Sequence, residues 1–265
     1  MSKLAVHLVT WNGAKYAPYL FDSLKKQICK DWILIVLDNN SSDNTVELIK
    51  KELNTFPVQY NFIANKENRG FVGGHNQVFK ESDAEYILLL NQDMYLAPDC
   101  LEKIVMFLDQ HPEAATVSPR LMKWNFAEKV FTEQIDALGL KIYRSRRAVE
   151  QYTGQDWFQV GPKLLAISNM LAVFGVSGAL PAFRMTAIKS VAYEDGSIFD
   201  ESYHSYKEDL DLAWRLTSAG HKSYVVLDAV AYHDRSAAGP KQADDVHALV
   251  NKQKLLAKYC SRNLA

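Results

Sequence analysis

Residues 86–93 read Tyr-Ile-Leu-Leu-Leu-Asn-Gln-Asp, an apolar run that stops abruptly at Asn91, Gln92 and Asp93. So short an apolar run, closed by turn-forming residues, predicts a buried strand. In open α/β sheets ligands gather beyond the carboxyl ends of the strands, so Asp93 is placed to hold a hard cation beside bound phosphate. A strand-ending turn explains the same residues, because Asn and Asp hydrogen-bond their own backbone there. The choice between the two readings depends on what other segments carry.

Working outward, residues 4–9 form an apolar run, and Tyr16, Leu20 and Leu24 follow at helical spacing with Ala17 and Phe21 alongside. Residues 32–37 form a second run ending at Asp38, and Val46, Ile49 and Leu53 mark the helix after a Ser- and Asn-rich turn. Residues 58–63 suit a third strand, a helix begins near Gly74, and residues 86–90 supply the fourth strand. Leu101, Ile104, Val105 and Leu108 give one face of the next helix, with Pro98 in its first turn and Pro112 blocking its continuation; residues 114–118 suit another strand. This alternation predicts an α/β fold, a mostly parallel sheet covered by helices on both faces. Residues 121–159 are irregular, rich in aromatics, and carry Arg144, Arg146 and Arg147; they are expected to define a second substrate. Regularity returns in a helix at 210–218, strand-like runs at 224–227 and 230–232, and a last helix at about 243–259.

Hydrophobic residues make up 48% and charged residues 23%, an ordinary globular composition. Thirty basic residues nearly balance 31 acidic ones, so a net charge of -1 gives no global attraction to nucleic acid or an anionic bilayer. Cys29, Cys100 and Cys260 lack metal-ligand spacing and read as reduced thiols of a cytosolic chain. The first residues run straight into a strand without the apolar region of a signal peptide, so export is not expected. Residues 164–183 carry no charge and have the length of a spanning helix, but Ser168, Asn169, Gly175, Ser177, Gly178 and Pro181 break it. A short helix followed by a buried strand is expected there. The last helix carries Val246, Leu249, Val250, Leu255, Leu256 and Tyr259 with Lys252, Lys254, Lys258 and Arg262 nearby. Docking on the domain, a homodimer contact and rest on a membrane surface all fit that composition.

Three segments beside Asp93 can carry chemistry. Residues 38–45, Asp-Asn-Asn-Ser-Ser-Asp-Asn-Thr, begin at a strand end and run into a helix. Asp38 there can accept hydrogen bonds from a base or ribose, while the residues at 41–43 suit helix capping. Residues 68–76, Asn-Arg-Gly-Phe-Val-Gly-Gly-His-Asn, join a guanidinium to glycines before a helix, although they form neither a P-loop nor a dinucleotide fingerprint. Residues 206–215, Tyr-Lys-Glu-Asp-Leu-Asp-Leu-Ala-Trp-Arg, concentrate acid where a helix starts. Glu208, Asp211 and Arg215 share a face, with Asp211 and Arg215 spaced to pair. Capping does not explain adjacent acids opening a helix with so little polar face, whereas a partly buried carboxylate with raised proton affinity suits a general base.

Taken in order, residues 9–13, 38–45, 68–76, 91–93, 177–179, 199–201 and 208–215 resemble an inverting nucleotide-sugar glycosyltransferase of family 2 with a GT-A fold. Val-Thr-Trp-Asn-Gly, Asn-Arg-Gly-Phe and Leu-Leu-Asn-Gln-Asp look most like bacterial rhamnosyltransferases that build surface polysaccharide. The resemblance implies one domain: residues 1–120 for the nucleotide sugar, 121–240 for acceptor and catalysis, and 241–265 a C-terminal helix. It implies nucleotide-sugar contacts from Thr10, Asn12, Asp38, Asn40, Arg69, Gly70, Asn76, Asn91 and Gln92. Ser177, Gly178 and Tyr206 would lie on the acceptor side, Mg2+ or Mn2+ would sit at Asp93 with His233, and Asp209 would be the base assisted by Glu208. The family's metal motif commonly has Asp at both ends, and Asn91 stands at the first here, which predicts weaker metal binding. The expected donor is dTDP-rhamnose, with a UDP-sugar as the alternative, and the acceptor a glycan or lipid-linked saccharide at the inner face of the cell membrane. A non-catalytic nucleotide-sugar-binding or partner-binding module fits less well with Asp38, Asp93 and the Glu208–Asp209 pair in one chain. A nicotinamide oxidoreductase needs clustered glycines after the first strand, where Thr-Trp-Asn-Gly supplies one.

Overall fold

The computed structural model describes residues 2–145, 147–203, 207–235 and 241–260, and the side chains of all these except 241–249 and 260. In chain order the elements are β1 (Leu4–Thr10), α1 (Ala17–Lys25), β2 (Trp32–Asp38), α2 (Thr45–Leu53), β3 (Tyr60–Ala64), α3 (Gly70–Lys80) and β4 (Tyr86–Asn91). Then come β5 (Met94–Leu96), α4 (Cys100–Gln110), β6 (Ala114–Asn125), β7 (Val130–Ala137), β8 (Leu140–Ile142), β9 (Ala148–Glu150) and α5 (Trp157–Leu165). The chain continues through β10 (Met170–Val173), β11 (Ala182–Arg184), α6 (Met185–Lys189), α7 (Glu208–Ser218), β12 (Lys222–His233) and α8 (Lys241–Cys260).

A sheet of ten strands has the order β10-β12-β6-β11-β4-β1-β2-β3, with β5 added on β12 and β7 on β6. β11 is antiparallel to both β4 and β6, and β6 is parallel to β12, so β3, β2, β1, β4, β6 and β12 point the same way. Side chains alternate across the sheet as strand geometry requires. Leu4, Val6 and Leu8 of β1 meet Leu20, Phe21 and Leu24 of α1 and Ile104 of α4, while Ala5 joins Val78 of α3 on the opposite face. Each fully buried leucine of this kind contributes roughly 1.5–3 kcal/mol. α3 lies so close to β1 that a Cβ on Gly74 would stand 2.8 Å from Val9 Cγ1.

Beyond residue 120 the sequence reading is corrected in three places. The run at 114–118 continues as β6 to Asn125 and folds back as β7, and β8 pairs with β9, so the irregular region is a pair of hairpins. Its periodicity is obscure because β6 and β7 pair with register shifts between Leu121 and Trp124. The runs at 224–227 and 230–232 form one strand, β12, interrupted by a shift between Val226 and Val230. In the uncharged stretch the helix α5 ends at Leu165, and the strand that follows, β10, is a partly buried edge on β12. Among the described residues no helix is long and apolar enough to cross a membrane.

The expected Asp211–Arg215 pair forms, Arg215 Nε donating to Asp211 Oδ2 at 2.9 Å, inside a larger network. Tyr193 donates to Asp211 Oδ2 at 3.0 Å, Tyr259 donates to Oδ1 at 2.7 Å, and Lys258 Nζ stands 2.7 Å from Oδ1. Lys258 also reaches Asp200, Tyr259 stacks on Trp214, and Asn251 donates to the Tyr203 carbonyl, so α8 docks on its own domain. Because Asp211 is wholly buried, Asp211→Ala strands these donors and is expected to lower stability by about 3 kcal/mol. Denaturant unfolding checks this; a loss within about 0.5 kcal/mol, the usual effect of a surface substitution, would show that α8 does not depend on the network.

Candidate functional site

Thr10 lies opposite Asp38, and Val9 opposite Asn91, so the carboxyl ends of β2, β1 and β4 come level. The polar side chains there hold one another. Thr10 Oγ1 donates to Gln92 Oε1 at 2.7 Å, Trp11 N donates to the same oxygen, and Gln92 Nε2 returns a bond to Trp11 O. A Cβ on Gly13 would lie 2.4 Å from Gln92 Oε1, so this contact requires glycine at 13. Asp38 accepts from Ser41 through both oxygens, at 2.5 and 2.9 Å, and Asn12 Oδ1 accepts from Ser42 N at 2.8 Å. Asn12 and Asn40 both have positive φ, 48° and 65°, and Asn40 is exposed at the mouth of this turn.

Buried Asn39 ties the turn to the next segment, accepting from Arg69 N and donating to the Gly70 carbonyl. Gly70 takes φ 69° to open α3, and the Arg69 guanidinium stays near the surface, 3.4 Å from Gln77 Oε1. Asn76 stands apart from the other predicted contacts. Its amide clamps another segment, donating to Phe199 O and accepting from Ile198 N and Phe199 N, and it is 2% exposed.

His233 ends β12 and lies between two carboxylates, Nδ1 3.0 Å from Asp136 Oδ2 and Nε2 3.4 Å from Asp93 Oδ2. Burial opposes charge on this imidazole, but the flanking Asp136 and Asp93 outweigh it and lift its pKa to about 9. Burial likewise opposes the Asp136 charge, yet His233 and Arg235 hold that carboxyl below its usual value. Arg235 grips Asp136 at 2.6 Å and Glu150 at 2.7 Å. Among the described residues no three His, Cys, Asp or Glu side chains converge as a ready metal cage. The pair Asp93 and His233 would fit a divalent cation that displaces the proton held between them, since Asp136 fixes the imidazole with Nε2 toward Asp93.

The opposite wall is the start of α7, entered through Lys207 at φ 77°. Asp209 Oδ1 accepts from Leu210 N at 2.8 Å, and Oδ2 faces Gly178 N at 3.4 Å. Glu208 is 7% exposed, and its Oε2 is buried without a hydrogen-bond partner. Burial and then the neighbouring Asp209 push the Glu208 carboxyl up to about 8; burial raises the Asp209 carboxyl too. A cleft of about 480 Å³ runs between the walls, lined by Asn91, Ser177, Gly178, Glu208, Asp209 and His233 among others. Asp93 adjoins it through His233, whereas Thr10, Asn12, Asp38, Asn40, Arg69, Gly70 and Gln92 are absent from its lining. Tyr206 lies outside the described residues.

Asp136, Glu150 and Arg235 escaped the sequence reading. Arg235 stands two residues beyond His233, a position the strand-end logic could have flagged. Asp136 and Glu150 lie on β7 and β9, where no regular period announced a strand.

The model of glycosyl transferase family 2 matches residues 5–175. The O-antigen chain rhamnosyltransferase RfbN of Salmonella typhimurium is 26% identical over 237 residues, 88% of this chain and 67% of that protein. The poly(ribitol-phosphate) beta-N-acetylglucosaminyltransferase TarS of Staphylococcus aureus is 28% identical over 114 residues, 42% of this chain; the match spans only 20% of TarS. Among solved structures, the mannosyltransferase PcManGT of Pyrobaculum calidifontis with GDP-Man and Mn2+ superposes with a TM-score of 0.65 at 17% identity, over 97% of this chain and 63% of that one. GalNAc-T7 with UDP, GalNAc and Mn2+ gives 0.70 at 12% identity, over 91% and 45%. With over half its length matched by the family model, on the GT-A fold of these neighbours, the chain belongs to glycosyltransferase family 2.

Proposed function

We propose that this chain is an inverting glycosyltransferase that moves a sugar from a nucleoside diphosphate onto a hydroxyl of a glycan or lipid-linked saccharide. The observation that carries this reading is the single cleft with the raised carboxyl of Asp209 on one wall and Asn91 and His233, backed by Asp93, on the other. Asp209 takes the proton of the acceptor hydroxyl as its oxygen attacks the anomeric carbon, and the nucleoside diphosphate departs from the opposite face. One displacement inverts that centre. Gly178 N steadies the Asp209 carboxylate, and buried Glu208, neutral at pH 7, adds no second negative charge beside it. Asp93 and His233 would hold Mg2+ or Mn2+, which supplies Lewis-acid stabilisation of the departing diphosphate. RfbN, covered over most of this chain, favours rhamnose, carried by thymidine diphosphate, as the donor sugar; a uridine donor is the second choice, prompted by TarS solved with UDP-GlcNAc. Bacterial surface polysaccharide synthesis at the cytoplasmic face of the membrane is the setting that follows from this reading.

Asp209→Asn is expected to cut sugar transfer by about 10²–10⁴-fold, the usual contribution of a general base, while nucleotide binding persists. Product formation with a panel of nucleotide sugars measures it, and transfer near the parent rate would remove Asp209 as the base. Since Asp209 acts deprotonated and burial raises its pKa, kcat/KM should fall with acid at a pH above the ordinary carboxylate range, and this limb should vanish with Asp209→Asn.

Burial, with the neighbouring Asp209, lifts the Glu208 carboxyl to about 8 in the folded state, whereas an unfolded glutamate releases its proton near the ordinary value of 4.5. The folded state therefore holds more protons across that interval, and stability falls as pH rises through it. Glu208→Gln should gain stability on the parent between pH 5 and 8 in chemical unfolding; parallel curves would show that Glu208 is ionised in the fold.

Mn2+ added with UDP or dTDP should raise the thermal midpoint beyond the effect of nucleotide alone, through selective binding to the folded state. Asp93→Asn should lose that increment and keep the metal-free nucleotide effect. An unchanged increment would place the cation elsewhere.

A further inference from the structure

The notable unused charge lies at the rim of the cleft, on the hairpin formed by β8 and β9. Leu140, Ala148, Val149 and Glu150 line the cavity, and Leu140 pairs with Glu150 and Ile142 with Ala148, so the hairpin forms part of its wall and the tip residues follow directly on lining residues. Tyr143 N closes that tip on the Arg147 carbonyl at 2.9 Å. Residues 141–147, Lys-Ile-Tyr-Arg-Ser-Arg-Arg, contain four basic side chains and no acid, in a chain of net charge -1. Lys141, Arg144 and Arg147 are exposed, and among the described residues none of them pairs with a carboxylate. Arg235, on the same wall, is by contrast neutralised by Asp136 and Glu150. The positive charge is therefore concentrated one residue beyond the lining residue Ala148, or about 3.3 Å along the strand.

Resting on the transferase reading above, we propose that this hairpin tip reads phosphate on the acceptor: Arg144 and Arg147 bind a phosphate ester or diphosphate of the molecule whose hydroxyl reaches Asp209. Guanidinium groups suit this role because their planar donors match phosphate oxygens two at a time. The phosphate can belong to a phosphodiester-linked chain or to the diphosphate of a lipid-linked saccharide; both present the same oxygens to the tip.

The full chain and its Arg144→Ser/Arg147→Ser variant are compared by fluorescence anisotropy on three labelled probes: a glycerol-phosphate hexamer, farnesyl-diphosphate-linked N-acetylglucosamine, and neutral maltohexaose. At least a tenfold loss of affinity for one anionic probe is expected, with a flatter salt dependence, and the probe affected identifies the source of the phosphate. Arg144→Lys/Arg147→Lys should keep the salt dependence, because it keeps the charge. Equal binding of both anionic probes by parent and Ser variant overturns the proposal, as does maltohexaose binding to the parent as tightly as the tighter of the two anionic probes. Thermal stabilisation by UDP and dTDP is measured alongside: its loss in the Ser variant alone would assign the tip to the donor and overturn the proposal. Its absence in the parent would instead refute the transferase reading.

Discussion

Parallel pairing without a register shift, from β2 through β1 to β4, is the constraint on which the site depends. It brings Asp38, Thr10 and Asn91 to one level, where the strands stop and the backbone must turn. Turns there free side chains for a ligand, and these side chains also brace one another. Gln92 bridges back to Thr10 and Trp11, Ser41 neutralises the hydrogen-bonding demand of Asp38, and Asn39 links the turn to Arg69 and Gly70. Such mutual support reduces the ordering that a ligand at these strand ends would have to impose.

The two walls of the cleft solve opposite electrostatic problems. At His233, carboxylates on both sides favour positive charge in a buried place, and Arg235 offsets the excess on Asp136. At α7, burial disfavours negative charge on Glu208 and Asp209, and the two carboxyls also disfavour each other. In the proposed function, raised proton affinity at the second wall serves proton acceptance and a cation held at the first would serve a departing diphosphate. It is the shared cavity that allows the proposal to join these properties in one reaction.

α7 is itself anchored from behind. Asp211, two residues from Asp209 and so on nearly the opposite side of the helix, is held by Arg215, Tyr193, Lys258 and Tyr259, and through them α8 is fastened to this wall of the cleft. The apolar and basic composition of α8 leaves its docking partner open in the sequence. Its contacts answer that for residues 251–259: Leu255 is buried, Asn251 caps Tyr203, and Lys258 bridges two aspartates of the domain.

By itself the sequence determined the alternating first half, the strand ends at Asp38 and Asn91, the acidic start of α7 and the i, i+4 pairing of Asp211 with Arg215. Each follows from local rules: apolar period, turn chemistry and helical spacing. Tertiary structure alone decided the rest. Asp136 reaches His233 across 97 positions, Arg235 joins Glu150 across 85, and Asn76 turns to clamp the 198–199 backbone across more than 120. Partners so far apart are set by how the elements pack; for Asp136 and His233 these are strands of opposite direction, and a shifted register obscures the two-residue period that would have revealed them.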